Sequence, residues 1–304
     1  MQPHHAGWRT RVAAALPDRL KDVLRPLARR VGLAEPVSSW WEADRPPWEL
    51  RPRATGATHA CMICGWSGDA FLGGFHSEAA ECPQCRSIAR DRFLFWCFTT
   101  RGHPGRRARV LETSPRLGLE YREMMRRWFS YRASDFDLSH HVGDIQIDLQ
   151  DIALPSASLD FVLTPHVLEH VPDTARALGE LHRVVVPGGH VYLQVPLVYG
   201  CTTVPSVPEF HADNTPVFFN FGWDLTDQLR AAGFEVRVLV TAAYRQMLGA
   251  PTAPADTGDG FCLDQLHEHV RLGDLDVVAD DATALRFGLL PAHHFATWQC
   301  VRKP

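Results

Sequence analysis

Apolar residues recur at two different spacings along this 304-residue chain, and the change of spacing divides it. Leu16, Leu20, Val23, Leu24, Leu27 and Val31 repeat at helical intervals. Pro17 suits the first turn of that helix and Pro26 should kink it. The opposite face carries Arg19, Lys21, Arg25, Arg29 and Arg30. This predicts an amphipathic helix packed on its own protein, with a membrane or partner surface as the alternative. Trp40, Trp41 and Trp48, among Pro46 and Pro47, read as an irregular segment whose rings need an apolar surface to cover. Ile88, Phe93, Leu94, Cys97 and Phe98 predict a further helix over 87–100.

From Arg109 the rhythm alternates strand and helix, which marks an open, mostly parallel sheet. Strands are expected at Val110–Leu111, Tyr131–Ala133, Ile145–Leu149, Leu159–Leu163, Val191–Val195, Val236–Val240 and Phe295–Val301. The fourth is apolar enough for a central position. Ser114 before Pro115 reads as the N-cap of a helix whose apolar face is Leu117, Tyr121, Met124, Met125 and Trp128. A helix after Asp173 should stop before Pro187-Gly188-Gly189. Another should span Trp223–Ala232 and close on Gly233. Two stretches, 197–221 and 241–294, break the rhythm. Insertions of that length are commonly functional, and both leave the rim where substrates sit.

Composition narrows the classes. A hydrophobic content of 45% supports a sizeable core, and the net charge of −4 argues against an extended nucleic-acid surface. No apolar run approaches the roughly 18 residues of a membrane span, and Met1 to Trp8 lacks the apolar core of a signal peptide. Cys61-x-x-Cys64 and Cys82-x-x-Cys85 form two hooks that can wrap one Zn2+ tetrahedrally, with Gly65 and Pro83 in the knuckle turns. Redox or disulfide pairing is the alternative. A closed four-thiolate site leaves no position for substrate, so this metal should be structural. Cys97, Cys201, Cys262 and Cys300 are scattered, which points to a reducing, cytoplasmic setting.

One tract carries a resemblance. Val110-Leu111-Glu112-Thr113-Ser114-Pro115, Asp135, Asp148-Leu149-Gln150-Asp151, Leu159-Asp160-Phe161-Val162-Leu163, His166-Val167-Leu168-Glu169-His170-Val171 and Leu181-His182-Arg183-Val184 with Pro187-Gly188-Gly189 follow in order. They resemble the successive motifs of class I S-adenosylmethionine-dependent methyltransferases, type 11 branch, over about 105–240. A cysteine ribbon before such a domain is similar to a bacterial subgroup. The resemblance implies a Rossmann-like α/β fold with a mostly parallel seven-stranded sheet. It also implies three regions: an extension over 1–55, the ribbon and linking helix over 56–100, and a methyltransferase domain over 101–304.

It further implies a donor site drawn from Glu112, Thr113, Ser114, Asp135, Asp148, Leu149 and Thr164. A carboxylate at Asp135, ending the second strand, can accept two ribose hydroxyls. Asp148 could accept the adenine amine, with Leu149 as an apolar wall and Asp151 as the competing carboxylate. The first loop departs from the family's acidic-Gly-x-Gly pattern, but a following helix N-terminus could still receive the methionine carboxylate, with Arg116 adding charge. His166, just past the fourth strand, is the candidate base, and His211, with Asp213, is the second candidate on the acceptor side. Glu169 and His170 read as structural. His267, Glu268 and His269, and His293-His294, do not read as a metal site, because histidines at i and i+2 on a helix point apart. The expected acceptor is a small molecule methylated on oxygen or nitrogen. An RNA methyltransferase gripping RNA through the ribbon and Arg86, Arg90 and Arg92 is the alternative, and a non-catalytic module of the same fold is a third reading.

Overall fold

A computed structural model describes residues 57–73, 80–139, 143–197, 200–211, 214–249, 269–290 and 296–304. The predicted N-terminal helix, the three tryptophans after it, Asp213, Cys262, His267, Glu268 and His293-His294 lie outside the described residues.

The chain begins with strands β1 (His59–Ala60) and β2 (Ser67–Gly68), paired antiparallel. Helix α1 (Ala89–Arg101) leads to β3 (Arg109–Thr113), α2 (Leu119–Trp128), β4 (Ser130–Asp135), β5 (Ile145–Gln146) and β6 (Leu159–Pro165). Then come α3 (Thr174–Val184), β7 (Val185–Gln194), the hairpin β8 (Glu209–Phe210) and β9 (Pro216–Val217), and α4 (Leu225–Ala231). The last elements are β10 (Phe234–Thr241), α5 (Ala242–Leu248), β11 (Leu275–Ala279), α6 (Asp281–Arg286) and β12 (Thr297–Arg302).

Eight strands among the described residues form one sheet in the order β5-β4-β3-β6-β7-β12-β10-β11. All neighbours are parallel except β12, which runs antiparallel to both β7 and β10. The chain leaves β3 for β4 on one side and later returns for β6 on the other. The strand order therefore reverses at β3/β6, and a crevice opens at their carboxyl ends. This is the Rossmann-like arrangement expected from the sequence. The eighth strand was not expected: β11 forms inside the 241–294 insertion and extends the sheet beyond β10.

Local chemistry explains the boundaries. Asp173 caps α3 by accepting the Arg176 N–H (2.9 Å), and Ala177, Leu178, Leu181 and Val184 bury its apolar face. At the other end Arg302 Nη1 donates to the carbonyls of Arg183 (3.1 Å) and Val185 (2.6 Å). The strand β7 starts at once and runs through Pro187-Gly188-Gly189. The second predicted helix starts later than expected. Gly118, not Ser114, stands at the N-cap of α2, because Ser114 turns into the left-handed region (φ 46°) and spends its hydroxyl elsewhere. The third predicted strand is short, since Asp148 folds back to bridge Asp151.

The ribbon and the sheet belong to one compact unit, Pro52–Pro304. A buried cation holds them together. Arg92 is fully buried; its Nε donates to the Phe287 carbonyl (2.8 Å), Nη1 to the Ser87 carbonyl (2.5 Å) and Nη2 to the Ala80 carbonyl (2.6 Å). Its guanidinium also lies 4.0 Å over the Phe71 ring. Among the described residues no helix is long and apolar enough to cross a membrane.

Arg92→Met should destabilise the protein by about 3 kcal/mol, because three buried carbonyls lose their donor. Arg92→Lys should recover little of it, since one ammonium cannot replace the planar fork. Urea midpoints for both variants check this.

Candidate functional site

The first knuckle closes with Gly65 N–H donating to the Cys61 carbonyl (2.8 Å), and the second with Arg86 N–H donating to Cys82 (3.0 Å). The residue after each hook adopts positive φ: 77° at Gly65, where glycine is unstrained, and 63° at Arg86. The four sulfurs lie within 4.8 Å of one another. Cys61 Sγ is 3.7 Å from Cys85 Sγ, and Cys64 Sγ is 3.6 Å from Cys82 Sγ. Tetrahedral Zn–S bonds of about 2.3 Å imply edges of about 3.8 Å, so the thiol set fits a metal of that size.

The carboxyl ends of the sheet assemble the rest. Asp135 ends β4, where Ser114 Oγ donates to its Oδ2 (2.5 Å) and the Asp137 N–H to its Oδ1 (3.1 Å). Glu112, on β3, is buried, and the hydroxyls of Tyr121 (3.0 Å) and Tyr131 (2.8 Å) both donate to its Oε2. Burial pushes its carboxyl up to about 7, against the pull of those two donors. Thr113 and Thr164, near the ends of β3 and β6, have buried hydroxyls with no hydrogen-bond partner among the described residues. Unsatisfied groups at a topological switch point suit a polar ligand. Asp148 Oδ1 accepts the Gln150 N–H (2.8 Å), so this carboxylate closes its own turn. Leu149 is buried in the main core. Arg116, read as a contact for the methionine carboxylate, instead pairs with Asp91 and donates to the Arg86 carbonyl (2.9 Å).

Two cavities adjoin the end of β6. The first, of about 120 Å3, is lined by Glu112, Ser114, Tyr121 and His166, together with Arg90 and Phe95 of α1. The second, of about 470 Å3, is lined by Glu169, Pro196, Phe210, His211, Phe219 and Asn220, among others. The cavities thus bring together Glu112, Ser114 and His166 on one side and His211 on the other. Asp135 borders the first through Ser114, whereas Asp148 and Leu149 line neither.

His166 has φ 50°, and its Nδ1 lies 3.4 Å from Arg90 Nη1. Arginine only donates, so Nδ1 holds the lone pair and Nε2 holds the proton. Burial and the Arg90 cation push this imidazole well below its ordinary pKa. It is therefore neutral, but its lone pair already faces a cation.

Glu169 is the residue that sequence reasoning undervalued. Its side chain is 2% exposed, and neither oxygen has a hydrogen-bond partner among the described residues. Oε1 lies 3.8 Å from His166 Nδ1 and 3.9 Å from His170 Nε2. Burial pushes its carboxyl up to about 8. The surrounding turn is fixed: His170 Nδ1 donates to the Pro216 carbonyl (2.6 Å), and Phe218 N–H to the Glu169 carbonyl (2.8 Å). Those contacts tie it to the β8–β9 hairpin, which carries His211, 4.6 Å ring to ring from His170. The one available signal was Glu169 next to two histidines in His166-Val167-Leu168-Glu169-His170.

Residues 104–193 match the family model described as a methyltransferase domain. A protein of Mycolicibacterium smegmatis, described as a probable S-adenosylmethionine-dependent methyltransferase, is 30% identical over 122 residues, 40% of this chain and 43% of that protein. The chain thus spans less than half of that relative. Among solved structures, an S-adenosylmethionine-dependent methyltransferase from Mesorhizobium loti aligns at 18% identity over 44% of this chain and 77% of its own, with a TM-score of 0.34. The YcgJ protein of Bacillus subtilis aligns at 12% over 70% and 99%, with a TM-score of 0.41. The matched stretch, 104–193, coincides with the part of the sheet where the strand order reverses.

Glu169 gives this site a pH signature. The unfolded carboxyl releases its proton near 4.5, while the folded one holds it to about 8. The folded state binds more protons in that window, so this contribution to stability is full below pH 4.5 and is lost as pH rises. Glu169→Gln removes the slope. It should match wild type near pH 4.5 and exceed it by up to about 4 kcal/mol near pH 8, measured by urea unfolding at both pH values. An identical difference at both would mean the carboxyl ionises freely.

Proposed function

We propose that this chain is an S-adenosylmethionine-dependent methyltransferase acting on oxygen or nitrogen of a small-molecule acceptor, natural-product or sugar-derived, and that Cys61, Cys64, Cys82 and Cys85 hold a structural Zn2+. The observation carrying the reading is that His166, lining one cavity, and Glu169, lining the other, lie 3.8 Å apart just past β6. When bound, S-adenosylmethionine supplies a sulfonium-borne methyl group.

Asp135 would accept the ribose hydroxyls, exchanging the Ser114 hydroxyl for them. Glu112, Thr113, Ser114 and Thr164 would line the donor; Asp148 and Leu149 would reach the adenine only if the turn that Asp148 closes opens, since neither lines a cavity. The first cavity is smaller than the roughly 300–1,000 Å3 usual for ligand pockets. Admitting the donor therefore requires Ser114 to leave Asp135 and the Arg116–Asp91 bridge to open. Transfer to an O–H or N–H acceptor leaves one proton to remove. His166 Nε2–H is suited to orient the acceptor heteroatom, and Glu169, which has no competing donor among the described residues, is suited to take the proton once it ionises near pH 8. His211 would close the rim of the acceptor cavity.

An RNA acceptor finds less support. Arg92 is buried, Arg90 turns toward His166, and Arg86, though exposed, is paired with Glu81, so at most one of the three faces solvent, too few for a backbone-tracking surface.

Asp135→Ala should weaken S-adenosylmethionine binding roughly tenfold or more, since a lost charge-assisted pair is worth roughly 1.5–3 kcal/mol. Calorimetry measures it, and an unchanged Kd assigns the ribose contact to another residue. Purified protein should contain about one equivalent of zinc, and Cys82→Ser should lose metal and stability together. A folded sample with less than about half an equivalent would rule out the metal assignment.

A further inference from the structure

A thiol, an imidazole and a carboxylate from three separate stretches meet outside both cavities. Cys201 Sγ lies 3.5 Å from His269 Nε2, and His269 Nδ1 lies 2.7 Å from Asp227 Oδ2. A carboxylate accepts only, so His269 Nδ1 carries the proton and Nε2 turns its lone pair to the thiol. Arg230 fixes the relay: Nη1 donates to Asp227 Oδ1 (3.1 Å) and to the His269 carbonyl (3.0 Å), and Nη2 to Asp274 Oδ2 (2.8 Å).

The nucleophile is held as firmly as its base. Trp223 N–H donates to the Gly200 carbonyl (2.8 Å), and Thr202 N–H and O–H both donate to Asp224 Oδ1 (2.7 Å each). Both flanks of Cys201 are thus clamped to one turn. A Cβ at Gly222 would lie 2.4 Å from Cys201 Cα, so only glycine permits this approach. Cys201 is partly exposed, whereas Cys97 and Cys300 are buried. A nucleophile in reach of a base that a third group orients is the arrangement that activates thiols.

We propose that Cys201, His269 and Asp227 form a nucleophilic thiol site, separate from the methyl-transfer site, that exchanges with small disulfides. The S–H proton passes to His269 Nε2 and the thiolate attacks one sulfur of the disulfide. A new S–S bond forms as the old one breaks, and the departing thiolate takes the proton back from the imidazolium. Cys201 is oxidised to a mixed disulfide and the leaving half is reduced to a thiol. Thr203, two residues on, pairs with Asn220 of the second cavity, so an adduct would stand close to that wall. The site does not depend on the proposed methyl transfer.

The probe is 5,5′-dithiobis(2-nitrobenzoate) on the full chain, with adducts assigned by peptide mass spectrometry. At pH 7 Cys201 should be labelled at least about tenfold faster in wild type than in His269→Gln, with Asp227→Asn between them. Among the described residues the charged groups bonded around the relay are Asp224, Asp227, Asp274 and Arg230. With the imidazole in place the wild-type rate should be nearly flat from pH 7 to 9. Without it, the rate should climb steeply toward an ordinary thiol pKa of about 8.5. Equal rates and equal profiles in wild type and His269→Gln overturn the proposal, as does wild-type Cys201 reacting no faster than Cys97 or Cys300. If His269→Gln fails to fold by circular dichroism, the wild-type profile and Asp227→Asn decide alone.

Discussion

A buried guanidinium is the constraint on which the arrangement of this molecule rests. Arg92 has no exposure to water, so its charge is tolerable only while its donors are met. The carbonyls that meet them come from Ala80 and Ser87 beside the second cysteine hook and from Phe287 after α6. The ribbon can therefore sit in one place only, against α1 and the edge of the sheet that β11 extends. The same helix turns Arg90, Asp91, Leu94 and Phe95 into the first cavity. A metal in the ribbon, by stiffening the hooks that frame Ala80 and Ser87, would stabilise a wall of the first cavity from a distance.

Two of the site's buried carboxyls, Glu112 and Glu169, are treated in opposite ways. Glu112 receives two tyrosine hydroxyls and is a satisfied member of the first cavity's wall. Glu169 receives none among the described residues, although its backbone carbonyl and its neighbour His170 are firmly bonded to the β8–β9 hairpin. An unsatisfied buried carboxyl costs stability, and natural folds concentrate such costs where chemistry needs a free group. The hairpin from the 197–221 insertion thus has two effects: it rigidifies the turn carrying Glu169 and encloses the cavity that Glu169 faces.

Much of this fold was legible because it depends on near-neighbour rules. The alternation of apolar runs and helical faces from Arg109 to Val240, the Asp173 cap and the two cysteine hooks depend on residues close in sequence. Asp135 and His166 could be assigned to strand ends from pattern alone. The misjudged details were contests between local and distant partners. Ser114 had the chemistry of an N-cap, but the Asp135 carboxylate, brought beside it by the β3–β4 pairing, took its hydroxyl. Arg92 looked like a surface cation on a helix until carbonyls from both sides closed over it.

Sequence by itself determined the α/β class, the strand rhythm, the paired cysteine hooks and the place of Asp135 at a strand end, since each follows from local periodicity or spacing. Only the tertiary structure decided which polar groups are spent and which are left free. The lone pair of His166 faces Arg90, Arg116 is occupied by Asp91, Glu169 stands unsatisfied, and Cys201, Asp227 and His269 converge from stretches far apart in the chain. Hydrogen-bond satisfaction is a property of three-dimensional neighbourhoods, and a side chain's partner, unlike its helix or strand, is not written within a few residues of it.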